Sequence, residues 1–394
     1  MIRARRLAVL ALALAACAWP RAEADGAERP VVILLSWDGT RHDYPERAEA
    51  RGLARLQREG ARAERLVPVF PSSTFPNHVS LATGTYVDRH GIIGNRFTDR
   101  AGRSFDYSND ASWIEAEPLW IAAERQGVRA AVYFWVGSET DWRGRGATYR
   151  RAPFDASIGE AAKVDQILAW LDLPAEQRPG LIMAWWHGCD HVGHEQGPDS
   201  PSIAAQLVAQ DAQLERLLAG LDERKAWDHT TLLVASDHGM TELREAVDAQ
   251  DLLAKAGIRA RVELAGGEAQ VHLQDLAQRD AALAALAKAE GLAAYTAESL
   301  PPSYRSHFPG RSGELTVVAS PPRVLSRTRK ARGGHGYDPE LPDMGAIFFA
   351  LGRGVPKAAK LGTVRAIDIA PTAAALLAID PPAQSEGKAL FNAH

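Results

Sequence analysis

The amino-acid sequence predicts a doubly wound α/β fold built on a mainly parallel sheet, with a smaller α+β insertion. Short, continuous apolar runs recur along the chain, and amphipathic stretches lie between them. Continuous apolar runs are typical of strands that are buried on both faces of a sheet. Their alternation with helices indicates parallel strands joined by right-handed crossovers.

The main sheet is predicted from the apolar runs themselves. The amphipathic patterns at Ile158–Leu173 and Ile203–Leu221 predict two of the helices that cover it. The runs interpreted as buried strands are Val31–Leu35, Ala130–Val136, Leu181–Trp186, Thr231–Ala235 and Ala346–Leu351.

Residues 243–333 interrupt this alternation. They contain the short apolar runs Val262–Leu264 and Ala269–Leu273 and an Ala-rich helical stretch at Asp280–Ala289. We interpret residues 243–333 as a smaller inserted subdomain, after which the chain returns to the main sheet. The predicted catalytic core therefore consists of residues 25–242 and 334–394.

Composition excludes several classes of protein. The chain has 394 residues, of which 46% are apolar and 24% charged, as in a globular protein with a sizeable core. Its 45 basic and 49 acidic side chains give a net charge of -4, so we expect no nucleic-acid binding, which needs a cationic face. Two cysteines cannot form a disulfide framework. No obligate protein partner is inferred.

The N-terminus predicts export from the cytoplasm. A cationic start is followed by the apolar run Leu7–Trp19, which is short for a membrane span, so residues 1–24 are interpreted as a signal peptide. The Ala- and Arg-rich style of this segment is typical of bacteria, so we expect a periplasmic protein. Leu14–Cys17 also resembles a lipobox, and acylation of Cys17 would instead make an outer-membrane lipoprotein.

Asp and His residues follow the predicted strands in short, Gly-containing loops. In a doubly wound sheet, ligands bind beyond the carboxyl ends of the strands. An isolated Asp-Gly is usually only a turn, but carboxylates and imidazoles in this number suit two Zn²⁺ sites. The residues are Asp38, Asp190, His194, Asp237, His238 and His335.

The stretch Phe70–His78 contains the candidate nucleophile. Pro76 is placed as in the first turn of a helix, so Thr74 would lie at a helix N-terminus, where negative charge is favoured. The alternative is that Ser72, Ser73 or Thr74 is an ordinary N-cap. A hydroxyl needs a base or a metal to remove its proton, and no Ser-His-Asp arrangement is visible, which leaves metal activation.

Motifs over nearly the whole mature chain resemble the nucleotide pyrophosphatase/phosphodiesterase family of the alkaline phosphatase superfamily. The resemblance implies a hydrolase with an alkaline-phosphatase-type fold. The matching stretches are Asp38–Arg41, Pro71–His78, Ala82–Gly84, His90–Asn95, Glu117–Trp120, Tyr133–Ser138, Asp190–Asp199, Ser236–Met240 and Gly334–Asp338.

The resemblance also implies roles for individual residues. Asn95 would donate to a phosphoryl oxygen, and Phe75 and Trp185 would clamp the nucleobase between their rings. His187-Gly188-Cys189 departs from the family pattern, which has acidic residues and Pro before Asp190. One Zn²⁺ would be held by Asp38, Thr74, Asp237 and His238, and a second by Asp190, His194 and His335.

These expectations describe a zinc-dependent hydrolase of nucleotide phosphodiester and pyrophosphate bonds. It would release nucleoside 5′-monophosphates through a covalent intermediate on Thr74. A phospholipid or lysophospholipid head-group phosphodiesterase is the alternative on the same site, and a non-catalytic binding protein is the alternative from another class. An apolar Phe75 beside Thr74, with no Arg in that motif, favours diesters over monoesters.

Overall fold

The computed structural model describes residues 28–391, so the predicted signal peptide and Cys17 lie outside the described residues. The strands of residues 28–391 are β1 (Val31–Trp37), β2 (Ala61–Val67), β3 (Arg96–Thr98), β4 (Ser104–Asp106), β5 (Ala130–Tyr133), β6 (Tyr149–Arg151), β7 (Leu181–Trp186), β8 (Thr230–Ala235), β9 (Thr241–Glu242), β10 (Glu245–Val247), β11 (Ala260–Ala265), β12 (Glu268–Leu273), β13 (Leu292–Tyr295), β14 (Leu315–Ala319), β15 (Arg323–Leu325), β16 (Gly333–Gly334), β17 (Phe348–Gly352) and β18 (Ala359–Arg365).

Helices occupy both faces of the main sheet. In the same part of the chain they are α1 (Arg51–Glu59), α2 (Thr74–Thr83), α3 (Val87–His90), α4 (Leu119–Arg125), α5 (Glu160–Leu171), α6 (Asp190–Gln196), α7 (Pro201–Glu223), α8 (Ala249–Lys255), α9 (Arg279–Leu286) and α10 (Ile369–Leu376). None of these helices is long and apolar enough to cross a membrane.

The main sheet has eight strands in the order β18-β2-β17-β8-β1-β7-β5-β6. Strand β1 is parallel to β7 and β8, and β5 is parallel to β6 and β7, which confirms the predicted fold class. Strand β17 is antiparallel to both of its neighbours. Phe348 pairs with Ala235 at the carboxyl end of β8, because the chain re-enters the sheet from that end.

The alternating side chains of β1 enter two different cores, so the sheet is doubly wound. Val32 and Leu34 pack with α2, α4 and α10, whereas Ile33 and Leu35 pack with α1, α5 and α7. All four side chains are fully buried, as continuous apolar runs predict.

Some of the predicted strand boundaries are wrong, and some strands were not predicted. The strand predicted at Ala130–Val136 ends at Tyr133, because Phe134 has a φ of 59°, which extended backbone cannot adopt. Strands β2 and β18 carry charged residues within their apolar pattern, so they do not form continuous apolar runs.

Residues from the predicted insertion form a second, antiparallel sheet in the order β11-β12-β14-β13. Helices α8 and α9 cover it, and its apolar cluster includes Leu253, Val271, Leu286 and Val317. The same cluster also takes in Tyr337, which lies beyond residue 333. The subdomain boundaries stay a prediction.

Candidate active site

Three parallel, neighbouring strands end at the same edge of the main sheet. Strand β1 lies between β7 and β8, and a polar loop follows each of the three strands. Asp38 follows β1, Asp190 begins α6 after β7, and Asp237 follows β8. The sheet order therefore brings together carboxylates that are far apart in the chain.

Two glycines allow the loops after β1 and β7 to meet backbone to backbone. Gly39 and Gly188 have φ values of 61° and 59°, which glycine adopts without strain. A Cβ atom on Gly188 would lie 1.9 Å from the Asp38 carbonyl oxygen. The N–H groups of Cys189 and Asp190 donate to that same oxygen at 2.8 and 3.2 Å. This contact fixes Asp38 beside Asp190.

Three histidines surround these carboxylates in a shared orientation. The Nδ1 of His194 faces the Gly333 carbonyl oxygen at 2.8 Å, and the Nδ1 atoms of His238 and His335 face carbonyl oxygens at 2.8 and 3.1 Å. With Nδ1 directed at a carbonyl oxygen, Nε2 is the nitrogen of each ring that is left to bind a metal ion. Histidine ligands of metals are commonly oriented by an outer partner in this way.

The Nε2 atoms point towards carboxylate oxygens. Asp190 Oδ1 lies 3.3 Å from His194 Nε2 and 3.6 Å from His335 Nε2. His238 Nε2 lies 3.2 Å from Asp237 Oδ2 and 3.6 Å from Asp38 Oδ1. The structure therefore brings together all six Asp and His residues that the sequence singled out.

Each carboxylate leaves one buried oxygen without a hydrogen bond among residues 28–391. These atoms are Asp38 Oδ1, Asp190 Oδ1 and Asp237 Oδ2. Buried polar atoms of this kind are costly unless an ion or a water satisfies them. Because the unsatisfied oxygens face the Nε2 atoms, the donor set fits metal ions that take mixed nitrogen and oxygen ligands, such as Zn²⁺.

The cluster perturbs the protonation of its own members. Burial, together with the charges of Asp237 and Asp190, raises the pKa of Asp38. Burial by itself would raise the pKa of Asp190, but His194 and His335 outweigh burial and lower this pKa. Burial also lowers the pKa of His194, but Asp190 outweighs it and raises that pKa to about 9. Carboxylates this close together need positive charge, which protons or cations can supply.

Groups of ligand atoms within 4.8 Å of one another define where ions could be held. Asp190, His194 and His335 form one such group, and Asp38, Asp190 and His238 form another. His78 also lies near Asp38 and Asp237, but its Nε2 is 2.7 Å from Ser36 Oγ and its Nδ1 is 2.8 Å from the Thr74 carbonyl oxygen. Both nitrogens of His78 are thus engaged, and we exclude it as a ligand.

Thr74 is the first residue of α2, as expected of a hydroxyl at a helix N-terminus. Its Oγ1 lies 3.2 Å from His238 Nε2, at the edge of the carboxylate and histidine cluster. The N-cap residue is Ser73, whose side chain makes no capping hydrogen bond within the described chain. Ser73 therefore occupies the N-cap position without a side-chain capping bond, and the Thr74 hydroxyl faces the cluster.

Asn95 lies beside the same helix N-terminus. Its Oδ1 accepts the Phe75 N–H at 2.8 Å, and its carbonyl oxygen accepts the Tyr107 N–H at 2.9 Å. Because Oδ1 is the acceptor, the Asn95 amide presents Nδ2 as a donor. This orientation is compatible with donation to a substrate oxygen.

The two predicted clamp residues have different surroundings. Phe75 contacts Phe105 and Tyr107 edge to face, with ring centroids 5.7 and 5.3 Å apart. Trp185 contacts the exposed ring of Phe154 at 5.2 Å. The indole Nε1 of Trp185 also donates to Asp38 Oδ2 at 2.9 Å. The nucleobase clamp stays a prediction.

Sequence reasoning missed two elements that organise the site. The hydrogen bond from Trp185 to Asp38 is one, and nothing in the local sequence indicates it. The other is Arg41, whose buried guanidinium donates to the Met240 carbonyl oxygen at 2.9 Å and to Asp43 at 2.7 Å. It also reaches Asp199 at 3.0 Å, so it ties together the loops after β1, α6 and β8. Its place in the Asp38–Arg41 motif was the available signal.

Comparison with known proteins identifies the family of the chain. The family model described as type I phosphodiesterase / nucleotide pyrophosphatase matches residues 32–338. The chain is 33% identical over 347 residues to an uncharacterized pyrophosphatase/phosphodiesterase of Schizosaccharomyces pombe, covering 82% of this chain and 71% of that protein. It is 29% identical to the venom phosphodiesterase of Naja atra, covering 91% of this chain but only 45% of the venom enzyme.

Solved structures are similar over most of the chain. Murine ectonucleotide pyrophosphatase / phosphodiesterase 5 superposes with a TM-score of 0.83 at 26% identity, covering 90% of this chain and 96% of that one. The same murine protein is also known as an inactive threonine-to-alanine variant in complex with AMP. The present chain therefore belongs to the type I phosphodiesterase / nucleotide pyrophosphatase family of the alkaline phosphatase superfamily and is a hydrolase of that class.

Proposed function

We propose that this protein hydrolyses phosphodiester and pyrophosphate bonds of nucleotides with two bound Zn²⁺ ions, releasing nucleoside 5′-monophosphates. The observation that carries the proposal is the position of Thr74. Its hydroxyl lies at a helix N-terminus, 3.2 Å from His238 Nε2, beside buried carboxylate oxygens that lack partners among residues 28–391. The threonine variant and the AMP complex of the murine relative support a threonine nucleophile and a nucleotide substrate.

The residues divide into two groups that would hold the ions. Asp38, Asp237 and His238, with the Thr74 hydroxyl, would hold one ion on the nucleophile side. Asp190, His194 and His335 would hold the other. Ions bound there would favour loss of the hydroxyl proton and neutralise negative charge on the oxygens around phosphorus.

The chain itself supplies the nucleophile and the oxyanion donors. Thr74 Oγ1 loses its proton and forms a bond to phosphorus while the bond to the leaving oxygen breaks, which gives a phosphodiester intermediate that joins the threonine to the nucleoside. Water then attacks phosphorus from the vacated side, releases the nucleoside monophosphate and returns the threonine. Asn95 Nδ2 and the Thr74 backbone N–H, which has no acceptor among residues 28–391, oppose negative charge on the non-bridging oxygens.

A substrate panel with the zinc-loaded protein tests this function. Bis-p-nitrophenyl phosphate should be cleaved much faster than p-nitrophenyl phosphate, and ATP or a diadenosine polyphosphate should yield AMP. A faster rate on the monoester would indicate a phosphomonoesterase. Turnover of a lysophospholipid without turnover of nucleotides would indicate a head-group phosphodiesterase. No hydrolysis of any of these compounds would indicate a binding protein.

Two threonine variants test the covalent step. Thr74→Ala should abolish turnover and trapping of a protein that carries the nucleotide on this residue. Thr83→Ala removes a hydroxyl from the other end of α2, where Oγ1 donates to the Val79 carbonyl oxygen, and should leave turnover measurable. Equal activity of the Thr74 variant and the wild-type protein would refute the threonine mechanism.

We also infer that the protein is exported to the periplasm. The support is the cationic start and apolar run of residues 1–24, with Cys17 as the site of acylation if the lipobox is used. Mass spectrometry of the mature N-terminus distinguishes the outcomes. A chain that begins near residue 25 indicates a released protein, acylated Cys17 indicates a lipoprotein, and an intact Met1 would refute export by this segment.

A further inference from the structure

We propose that Lys163 is a positioning residue: its buried ammonium holds the indole of Trp185, which in turn orients Asp38 towards the metal site. The inference rests on the proposed function only in taking Asp38 as a metal ligand. It gives a role to a charged cluster outside the ligand set, formed by Glu160, Lys163 and His187.

The first step is the placement of the lysine. Lys163 lies on α5, and its side chain is fully buried. Its Nζ lies 4.9 Å from the centroid of the Trp185 ring and 6.0 Å from that of Phe134. An ammonium at this distance from an indole face is attracted by the ring, and the attraction is stronger where water is excluded.

A carboxylate keeps this buried charge in place. Glu160, one helical turn before Lys163, lies 3.5 Å from Nζ. Burial lowers the pKa of Lys163 to about 8, although Glu160 opposes the fall. The ammonium is thus still the main form at neutral pH. A buried lysine is uncommon unless it is paired, which indicates that this one has a specific partner to hold.

The same carboxylate binds His187, the residue that departs from the family pattern. Glu160 Oε1 accepts from the His187 backbone N–H at 2.9 Å and lies 2.7 Å from its Nδ1. His187 Nε2 lies 3.1 Å from the Ala156 carbonyl oxygen. Both ring nitrogens of His187 thus face oxygen atoms. Glu160 lies between Lys163 and His187, and both of these side chains contact Trp185.

The position of the Trp185 indole determines the orientation of Asp38. Lys163 lies over the ring, while His187 and Phe154 contact it with centroids at 4.9 and 5.2 Å. The ring is thereby fixed with Nε1 directed at Asp38 Oδ2, 2.9 Å away. With Oδ2 engaged, Oδ1 is the Asp38 oxygen that faces His238 and lacks a hydrogen bond in the described chain. A cation over the ring also strengthens the N–H as a donor.

Zinc affinity measured on the metal-free, full-length protein tests the inference without relying on turnover. Competition with a chromophoric chelator gives the affinity of the wild-type protein, Lys163→Met, Trp185→Phe and the double variant. Loss of an outer partner of a ligand typically weakens metal binding by about 10- to 100-fold. We expect a loss of about 10-fold for each single variant, and no further loss when Lys163→Met is added to Trp185→Phe.

Controls separate positioning from general destabilisation. Val164→Ala removes a fully buried side chain from the next position of α5 and should leave zinc affinity unchanged. If Lys163→Met does not fold, Glu160→Gln replaces it, because loss of that carboxylate leaves the ammonium unpaired. It should weaken zinc binding only when Trp185 is present.

The outcomes are distinct. Wild-type zinc affinity in Lys163→Met, or independent losses that multiply in the double variant, would overturn the inference while leaving the proposed function intact. A wild-type protein that binds no zinc and cleaves no diester would instead refute the proposed function, and the inference with it.

Discussion

Lys163 should make the protein more stable as the pH rises through the alkaline range. Burial lowers its pKa from 10.5 to about 8. Between these two values the unfolded chain binds more protons than the folded one, so the free energy of unfolding increases with pH. At about 1.36 kcal/mol for each pKa unit, the lysine contributes an increase of about 3 kcal/mol between pH 8 and pH 10.5.

The comparison with Lys163→Met isolates this effect. Urea unfolding of both proteins, in the presence of a chelator, gives their free energies of unfolding at several pH values from 7 to 10. The Asp and His residues of the candidate site are the same in both proteins, so their contribution cancels in the difference. The wild-type protein should gain about 2 to 3 kcal/mol relative to the variant by pH 10. A constant difference over this range would show that Lys163 is not held as a buried ammonium.

Three other changes test the site. Gly188→Ala should abolish zinc binding, because the new Cβ would lie 1.9 Å from the Asp38 carbonyl oxygen. Gly144→Ala is the control: this glycine also has a positive φ, but no atom lies within 4 Å of the new Cβ, so zinc binding should be retained. Equal zinc affinity in the two variants would contradict the importance of the close approach at Gly188. Asn95→Ala should lower kcat on diesters by about 100-fold with unchanged zinc affinity, and an unchanged kcat would exclude it as an oxyanion donor. Chelation should stop turnover and lower the Tm, and addition of Zn²⁺ should restore both. At about 100 times its Kd, Zn²⁺ adds about 2.7 kcal/mol to the free energy of unfolding for each site. Turnover that survives chelation would refute metal dependence.

Much of the sheet could be predicted because its central strands are buried on both faces. Val31–Leu35 and Leu181–Trp186 are continuous apolar runs for that reason, and each lies within or coincides with an observed strand. Ala61–Val67 is buried less completely and carries three charged residues, so the same criterion does not detect it. The direction of Phe348–Gly352 depends on where the chain re-enters the sheet, which a local pattern does not record.

The candidate site also contains some features that the sequence predicts and others that it does not. Asp38 and Asp237 could be found because they directly follow predicted strands, and the ends of parallel strands meet. His335 follows no central strand, and its Gly-containing loop and the family resemblance were what indicated it. The bond between Trp185 and Asp38 joins residues 147 positions apart and depends on the rotamer of a ring, so no spacing rule predicts it. The Glu160–Lys163 pair was likewise invisible, because a charged pair on a helix usually faces solvent.

The antiparallel direction of β17 has a consequence for how the protein can vary. Strand β8 leaves the sheet at the edge where Asp38, Asp190 and Asp237 lie, and β17 starts at that edge beside Ala235. The whole segment between them therefore departs from and returns to the catalytic side. The strands inside this segment pair with one another and not with the eight strands of the main sheet. Substitutions confined to those strands therefore leave the order of the main sheet unchanged, whereas Asp237, His238 and His335, which also lie in this segment, are part of the candidate site itself.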